Sequence, residues 1–291
     1  MELVDLIETS RLAFASVAAL FGLVIGSFLN VVIHRTPIIL MQRWQEDCQQ
    51  LTGHAAANGA KQERFNLVTP RSRCPHCGRA IAAVENIPLL SYLWLRGKCS
   101  ACKKPIGLRY PFVELLSGVL ASVCAWHFGF GVAGLAAIAL TWLMIALTFI
   151  DIDHQLLPDV MVLPFLWLGL LLNIAGIYTD LPAAVIGAAS GYLSLWLVFH
   201  VFKLITGKEG MGYGDFKLLA LFGAWLGWKS LPLIILLSSF IGALIGIGLI
   251  VFRGRDRAQP LPFGPYLAAA GWVALLWGEE IVAQYLQIAR F

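Results

Sequence analysis

The chain has 291 residues, of which 59% are hydrophobic and only 13% are charged, and its mean hydropathy is +0.77. Soluble domains carry about 25% charged and roughly 45–50% apolar residues, so this composition excludes a disordered chain, a coiled coil and a typical soluble enzyme. The formal net charge is +4. Because the basic residues are spread through a loop rather than interleaved with aromatic residues, we predict no nucleic-acid partner.

The apolar residues form eight blocks, and most are long enough to cross a bilayer. Only helices and closed barrels satisfy their backbone polar groups in lipid, and these blocks are continuous where barrel strands alternate. We therefore predict an all-α polytopic membrane protein of about eight transmembrane helices in contact with membrane lipid. The sixth block is short for a span. The predicted spans are residues 12–33, 112–130, 132–150, 160–177, 182–205, 216–228, 231–252 and 264–287.

The basic residues predict the orientation of these helices. If the N-terminus lies outside and each helix crosses once, the inner segments carry most of the 21 Lys and Arg residues. The positive-inside rule then assigns those segments to the cytoplasm. The predicted domains are a first transmembrane helix at residues 1–33, a cytoplasmic loop domain at 34–110 and a seven-helix transmembrane domain at 111–291.

The predicted loop domain contains two Cys-x-x-Cys pairs, Cys74-Pro-His-Cys77 and Cys99-Ser-Ala-Cys102. Their spacing is close to that of four-thiolate zinc sites. Two disulfides are the alternative, but disulfides are rare in the reducing cytoplasm. We therefore predict a structural zinc ion held by Cys74, Cys77, Cys99 and Cys102, which supplies folding energy that a small loop core lacks.

Two aspartates lie at the cytoplasmic ends of predicted spans: Asp151 ends the third span and Asp215 begins the sixth. Ionisable residues at membrane depth are costly and usually functional. Two carboxylates that share a proton can hydrolyse a peptide bond, because one activates water while the other protonates the carbonyl. The helix dipole favours an ionised Asp215 at a helix N-terminus and a neutral Asp151 near a C-terminus.

Neighbouring residues have structural interpretations. Asp159 follows Pro158 at the start of the fourth span, where we expect an N-cap. Asp153 lies two positions after Asp151, which predicts a different, solvated face of the helix. The segment Gly210-x-Gly212-x-Gly214 lacks the Lys-Ser/Thr of a phosphate loop, so we expect its glycines to permit a bent backbone with positive φ beside Asp215.

As a set, these segments resemble the bacterial type IV prepilin peptidases. Gly212-x-Gly214-Asp215 matches the Gly-x-Gly-Asp signature of intramembrane aspartyl proteases, and the likeness runs from about residue 12 to residue 287. The other segments that carry it are Gly26-Ser-Phe-Leu-Asn-Val-Val-Ile-His-Arg35, the two cysteine pairs, Glu85-Asn-Ile-Pro88, Asp151-Ile-Asp-His-Gln-Leu-Leu-Pro-Asp159 and Pro262-Phe-Gly-Pro265.

This resemblance implies a bifunctional, multi-pass enzyme of the inner membrane. Such an enzyme cuts the leader from type IV prepilins and type II secretion pseudopilins after a Gly at the cytoplasmic face. It then N-methylates the new terminal residue with S-adenosylmethionine. The catalytic aspartates of the family correspond to Asp151 and Asp215, and its zinc ligands correspond to Cys74, Cys77, Cys99 and Cys102.

The residues that bind S-adenosylmethionine are not evident from the sequence, because no strand–Gly-x-Gly-x-x-Gly–helix unit is present. Taken singly, Asn30 is better suited to an interhelical hydrogen bond, and His34 and Arg35 to interfacial anchoring. Glu85 also suits a second role, in which it receives the basic leader of the substrate. The candidates in the first loop and at its junctions are Asn30, His34, Arg35, Glu85 and Asn86.

Two other functions remain open at the level of the sequence. One is a Gly-x-Gly-Asp peptidase without methyltransferase activity, although the cytoplasmic cysteine loop favours the bifunctional form. The other is a proton-coupled transporter with the carboxylates as a proton relay. Transporters place such groups near mid-membrane and often have repeated halves. Here the carboxylates cluster at one face and no repeat is visible, which counts against a transporter.

Overall fold

The structure is a computed structural model that describes residues 8–52, 65–253 and 261–289. Nine α-helices lie wholly within these residues, and the described part of the chain has isolated β-bridges but no strand. The predicted all-α fold is therefore confirmed. The helices are α1 (Arg11–Leu51), α2 (Leu90–Trp94), α3 (Arg109–Phe128), α4 (Val132–His154), α5 (Asp159–Ile174), α6 (Leu181–Thr206), α7 (Tyr213–Leu226), α8 (Leu231–Arg253) and α9 (Gly264–Ala289).

Six of these helices, α1, α3, α4, α6, α8 and α9, are long and apolar enough to cross a membrane. The chain is therefore a multi-pass membrane protein. All eight predicted blocks are helical, but α5 has 16 residues and α7 has 14. At about 1.5 Å per residue, α7 falls short of a hydrocarbon core of about 30 Å. A count of eight full spans is therefore not confirmed.

The chain divides into two compact units, residues 1–126 and 127–291. In the first unit α1 continues to Leu51, well beyond the predicted end of the first span at residue 33, and contains Pro37. The stretch after Pro37 has no glycine or further proline, and its Gln, Leu, Met, Arg and Glu residues favour a helix even where the sequence becomes polar. Hydrophobicity thus marked the end of the apolar part of α1 rather than the end of the helix.

Within the first unit, α1 and α3 pack backbone against backbone. A Cβ atom on Gly26 would lie 2.6 Å from the Glu114 Cα, and one on Gly22 would lie 2.7 Å from the Ser117 carbonyl oxygen. Small residues allow this close approach between membrane helices. The glycines therefore fix the position of Glu114 relative to α1.

The core of the second unit is α7, which packs against α5, α6 and α9. Its residues from Phe216 to Trp225 are buried on almost every face, except Lys217. A helix that is apolar all round is buried in protein, which explains how a 14-residue helix is accommodated. Its close contact with α6 requires glycines, since a Cβ on Gly223 would lie 2.1 Å from the Gly187 carbonyl oxygen.

The C-terminal end of α7 is held by one buried amide. The Asn173 Nδ2 donates to the Ala224 and Trp225 carbonyl oxygens, each at 2.9 Å, and its Oδ1 accepts from the backbone N–H groups of Tyr178 and Thr179. These bonds satisfy carbonyls that a helix end leaves without partners. Because α7 is rigidly held at this end, its N-terminal end, which carries Asp215, is placed accurately.

We expect Gly187→Leu to destabilise the second unit strongly, because the added side chain would meet the backbone of α7. Overpacking costs typically about 1–3 kcal/mol and more where backbone must move. Ala189→Leu, on an exposed position of the same helix, is the matched control. The midpoint of thermal unfolding in detergent should fall in the first variant and not in the second. Equal midpoints would contradict this account of the α6–α7 contact.

Candidate active site and metal centre

Asp151 lies in the last turn of α4 and is 5% exposed. Its Oδ2 accepts a hydrogen bond of 3.0 Å from the backbone N–H of Gly264, the first residue of α9. A Cβ on Gly264 would lie 2.6 Å from that oxygen. Only glycine therefore permits the bond. The segment Pro262-Phe-Gly-Pro265 signalled the family, but nothing in the sequence indicated that its glycine holds Asp151.

Asp215 lies in the first turn of α7 and is 6% exposed. Its Oδ2 accepts a hydrogen bond of 3.3 Å from the backbone N–H of Gly212, the N-cap residue, as in a capping box. The glycines do not use the positive φ that they would tolerate, because Gly212 is extended at φ −85° and neither Gly210 nor Gly214 has a positive φ. A glycine is needed at position 214 because there is no room for a side chain: a Cβ there would lie 2.8 Å from the Leu157 Cβ.

The two aspartates meet at one end of the second unit. Leu157 lies close to Gly214, which precedes Asp215, and to Gly264, which donates to Asp151. Cβ atoms added to either glycine would contact Leu157. The carboxylates are near enough to interact electrostatically. The structure thus brings together the two acids that the sequence singled out, while their catalytic role stays a prediction. The two carboxyl groups are buried to a similar extent, and each accepts one hydrogen bond from a backbone N–H. These contacts therefore do not support the assignment of the negative charge to Asp215.

Asp159 has a different role from the one expected. The N-cap of α5 is Pro158, and Asp159 is already in the first helical turn. Both of its carboxylate oxygens accept from the Lys217 Nζ on α7, at 2.6 and 2.7 Å. The predicted N-cap is therefore wrong, because the charge of Lys217 offers a stronger partner. This ion pair joins α5 to α7 two residues beyond Asp215. Asp153 is exposed, as expected.

The four cysteines of the two predicted pairs form one cluster. Their sulfur atoms all lie within 4.8 Å of one another, and Cys74 and Cys102 Sγ are 3.9 Å apart. A tetrahedral zinc site with Zn–S bonds of about 2.3 Å places its sulfurs about 3.8 Å apart. All four thiols are free, which excludes the disulfide alternative in this structure. The cluster therefore fits a divalent metal ion.

Each pair occupies a hairpin of the same design. The backbone N–H of Cys74 donates to the Arg79 carbonyl, and that of Cys99 donates to the Lys104 carbonyl, both at 2.9 Å. Gly78 turns the first hairpin with φ +69°, whereas Lys103 turns the second with φ +59°. The left-handed backbone at Lys103 could not be predicted, because a lysine in the sequence gives no sign of it.

Hydrogen bonds from backbone N–H groups favour the thiolate form of the first cysteine in each pair. The N–H groups of Cys102 and Ala101 lower the pKa of Cys99 to about 6. Those of His76 and Cys77 lower the pKa of Cys74. At Cys77 the N–H of Arg79 acts in the same direction, but burial and the three neighbouring thiols outweigh it and raise the pKa to about 11. Four thiolates therefore need a bound cation to offset their mutual repulsion.

Glu85 joins the two hairpins. Its Oε1 lies 3.3 Å from an Arg79 guanidinium nitrogen, and its Oε2 accepts from the Ala82 N–H at 3.0 Å. Arg79 also donates to the hydroxyl of Ser100, in the second cysteine pair. The hydrogen bond with Ser100, followed by that of Ala82, lowers the pKa of Glu85. Its expected contact with a basic leader stays a prediction.

A cavity of about 500 Å³ lies in the first unit, beside the cysteine cluster. Arg35 is buried and donates to the Asn66 and Pro70 carbonyls at 2.8 and 2.6 Å, so it holds a loop rather than anchoring at an interface. Asn30 makes an interhelical hydrogen bond to the Tyr110 carbonyl at 3.2 Å. All five residues suggested for the methyl-donor site line this cavity: Asn30, His34, Arg35, Glu85 and Asn86.

Comparison with known families gives two matches that together span most of the chain. Residues 20–128 match the bacterial peptidase A24 N-terminal domain, and residues 138–247 match the type IV leader peptidase family. No solved structure shows a significant match.

Curated relatives are similar over nearly their full length. A protein of Stutzerimonas stutzeri named prepilin leader peptidase/N-methyltransferase is 56% identical over 288 residues, which is 99% of each chain. Proteins with the same name from Pseudomonas aeruginosa and Legionella pneumophila are 54% identical over 291 residues and 48% identical over 270 residues, covering 100% and 93% of each chain. These matches confirm the resemblance seen in the sequence, and the chain belongs to the type IV leader peptidase family.

Proposed function

We propose that the chain is a prepilin leader peptidase and N-methyltransferase of the inner membrane. It removes the leader of type IV prepilins and type II secretion pseudopilins after a Gly at the cytoplasmic face, and then methylates the new N-terminal amine. The observation that carries the peptidase is the pair Asp151 and Asp215, two buried carboxylates at helix ends, each bonded to one backbone N–H. The full-length similarity to enzymes of that name supports both activities.

Cleavage uses the two carboxylates as a pair that shares one proton. One accepts a proton from water as the water oxygen attacks the scissile carbonyl carbon, and the other donates its proton to the carbonyl oxygen. When the C–N bond breaks, the carboxyl group that took its proton from water gives that proton to the leaving nitrogen. A hydroxyl of the tetrahedral intermediate returns its proton to the other carboxylate as the new carboxyl group forms, so the pair again holds one proton. The N–H groups of Gly264 and Gly212 hold the Oδ2 atoms of Asp151 and Asp215 in fixed positions.

The location of the pair suits a substrate with a basic leader and an apolar helix. The apolar segment stays in the bilayer while the scissile bond sits at the interface, level with helix ends. A proton relay of a transporter would instead lie near mid-membrane. The basic residues of the connecting segments support a cytoplasmic location for this end by the positive-inside rule.

Zinc in this proposal has a structural role. Cys74, Cys77, Cys99 and Cys102 would supply all four ligands of a tetrahedral zinc ion, which would leave no position open for a substrate. S-adenosylmethionine, when bound, supplies the methyl group that passes to the free amine. Residues of this chain must bind that donor, orient it and accept the proton that the amine loses.

We expect Asp151→Asn and Asp215→Asn each to reduce prepilin cleavage by on the order of 10³-fold, because each removes one partner of the acid–base pair. Methylation of a peptide that has already been cut should persist. Asp153→Asn, an exposed acid at the same helix end, is the matched control. Cleavage is followed by mass spectrometry of a prepilin peptide, and methylation by transfer of labelled methyl groups.

Cleavage that persists in either aspartate variant would contradict the peptidase proposal. If the zinc-loaded wild-type protein neither cleaves prepilin nor methylates the cut peptide, the proposed function as a whole is contradicted. Cleavage without any methyl transfer by the wild-type protein would leave the peptidase alone, which was the second function considered from the sequence.

We expect Cys74→Ser to lower the bound zinc from about one ion per chain to a small fraction, because a structural site loses most of its affinity with one ligand. Cys48→Ser changes an exposed cysteine outside the cluster and serves as the control. Elemental analysis of the purified proteins measures the metal directly. Unchanged zinc content in Cys74→Ser would disprove the assignment of this cluster.

A further inference from the structure

We infer that the cavity of the first unit is the binding site for S-adenosylmethionine; the inference rests on the proposed methyltransferase activity. The cavity measures about 500 Å³, within the range of about 300–1,000 Å³ typical of small-molecule sites. It is formed by the cytoplasmic end of α1, the two cysteine hairpins, α2 and the start of α3. Its lining residues lie between Ser27 and Glu114 in the sequence.

The chemistry of the lining matches the parts of this cofactor. The donor has a flat adenine, an amino-acid carboxylate, an ammonium group and a positively charged sulfonium. Aromatic rings suit the base, guanidinium groups suit the carboxylate, and an acid suits the sulfonium. The cavity offers all three: Tyr92 and Tyr110, Arg71 and Arg73, and Glu85 and Glu114.

Glu85 and Glu114 differ in their partners, and this difference indicates which of them binds the sulfonium. Glu85 is already in an ion pair with Arg79. Glu114 is 9% exposed and accepts from neutral donors, the Leu89 N–H at 2.9 Å and the Ser27 hydroxyl. Within the described residues no ion pair engages Glu114, so its carboxyl group is available to a positively charged ligand. The assignment places the sulfonium at Glu114.

The backbone segment that donates a hydrogen bond to Glu114 has a strained conformation. Leu89 has φ +58° and ψ −47°, and the Leu90 N–H donates to the Pro88 carbonyl at 2.6 Å. This is a γ-turn of the rare, strained hand. Strained backbone persists where surrounding structure holds it, often at functional sites. Here the Glu114 carboxylate holds the Leu89 N–H, and the turn directly follows Glu85-Asn86 in the cavity wall.

Other ligands fit the lining less well. A phosphate headgroup would be attracted by Arg71 and Arg73 but repelled by Glu114, which is fixed in the wall. A basic leader peptide would be repelled by Arg35, Arg71, Arg73 and Lys104. A ligand with one negative group, positive groups and an aromatic base satisfies both signs of charge in the cavity.

The test is direct binding of labelled S-adenosylmethionine to the purified, zinc-loaded full chain. Ser91→Trp places a large side chain in the cavity, whereas Leu90→Trp adds the same side chain at the adjacent exposed position, which does not line it. We expect Ser91→Trp to raise the dissociation constant at least tenfold and Leu90→Trp to leave it unchanged. Zinc content and prepilin cleavage should match the wild type in both variants and so report an intact fold.

A second variant tests the charge. Glu114→Gln should weaken binding of S-adenosylmethionine about tenfold, but weaken S-adenosylhomocysteine, whose sulfur is neutral, much less. Equal losses for both ligands overturn the assignment of the sulfonium to Glu114.

The outcomes also separate this inference from the proposed function. A wild-type protein that transfers methyl groups, with Ser91→Trp binding the donor as tightly as wild type, overturns the cavity and leaves the function standing. A wild-type protein that cleaves prepilin but neither binds the donor nor transfers methyl groups overturns the methyltransferase as well. Displacement of the donor by anionic lipid vesicles, but not by neutral ones, would identify a headgroup site instead and overturn the inference.

Discussion

Two buried carboxylates that interact electrostatically at one end of the second unit are the constraint on which this unit depends. Burying ionisable groups is expensive unless polar partners are provided. The protein provides one backbone N–H for each acid, from Gly264 to Asp151 and from Gly212 to Asp215. Each of these bonds joins residues at the end of a helix, where N–H groups have no partner within the helix.

The rest of the unit follows from the need to hold these ends together. The helix α7 is too short to span the bilayer and is buried on nearly all sides, so protein rather than lipid surrounds it. Glycine contacts with α6 and the amide of Asn173 fix its far end. The Asp159–Lys217 ion pair holds its near end against α5. A displacement of α7 would separate Asp215 from Asp151.

The first unit solves a different problem. Its loop is too small and too exposed to build a core from apolar side chains alone. Two hairpins and four thiols replace that core, and the network of Arg79, Glu85 and Ser100 joins the hairpins outside the cluster. A cavity of defined shape then forms between these hairpins and the close-packed pair α1 and α3. A metal-held scaffold of this kind positions polar groups as firmly as a larger core would.

The features that sequence predicted are those that leave a periodic or compositional signal. Continuous apolar blocks predicted the helices, and cysteine spacing predicted the cluster. The topology predicted from the sequence also put Asp151 and Asp215 on the same side of the membrane. What it missed depends on tertiary contacts: Gly264 under Asp151, Lys217 as the partner of Asp159, and the left-handed Lys103.

Some errors came from applying local rules where packing decides. The glycines before Asp215 were expected to allow a bent backbone, yet Gly214 is required by the proximity of Leu157. The end of α1 was taken from hydropathy, which reports the bilayer boundary rather than the end of helical backbone. The cavity could not be predicted, because its lining residues come from segments scattered between Ser27 and Glu114.

The central claim is that Asp151 and Asp215 act as one unit, and a double-mutant cycle on cleavage tests it most directly. The measurement is kcat/KM for a prepilin peptide with Asp151→Asn, Asp215→Asn and the double variant, using long incubations to reach slow rates. Residues that act as a unit give strongly non-additive losses. We expect the double variant to be no slower than the slower single variant. Losses that multiply, as for two independent sites, would contradict it.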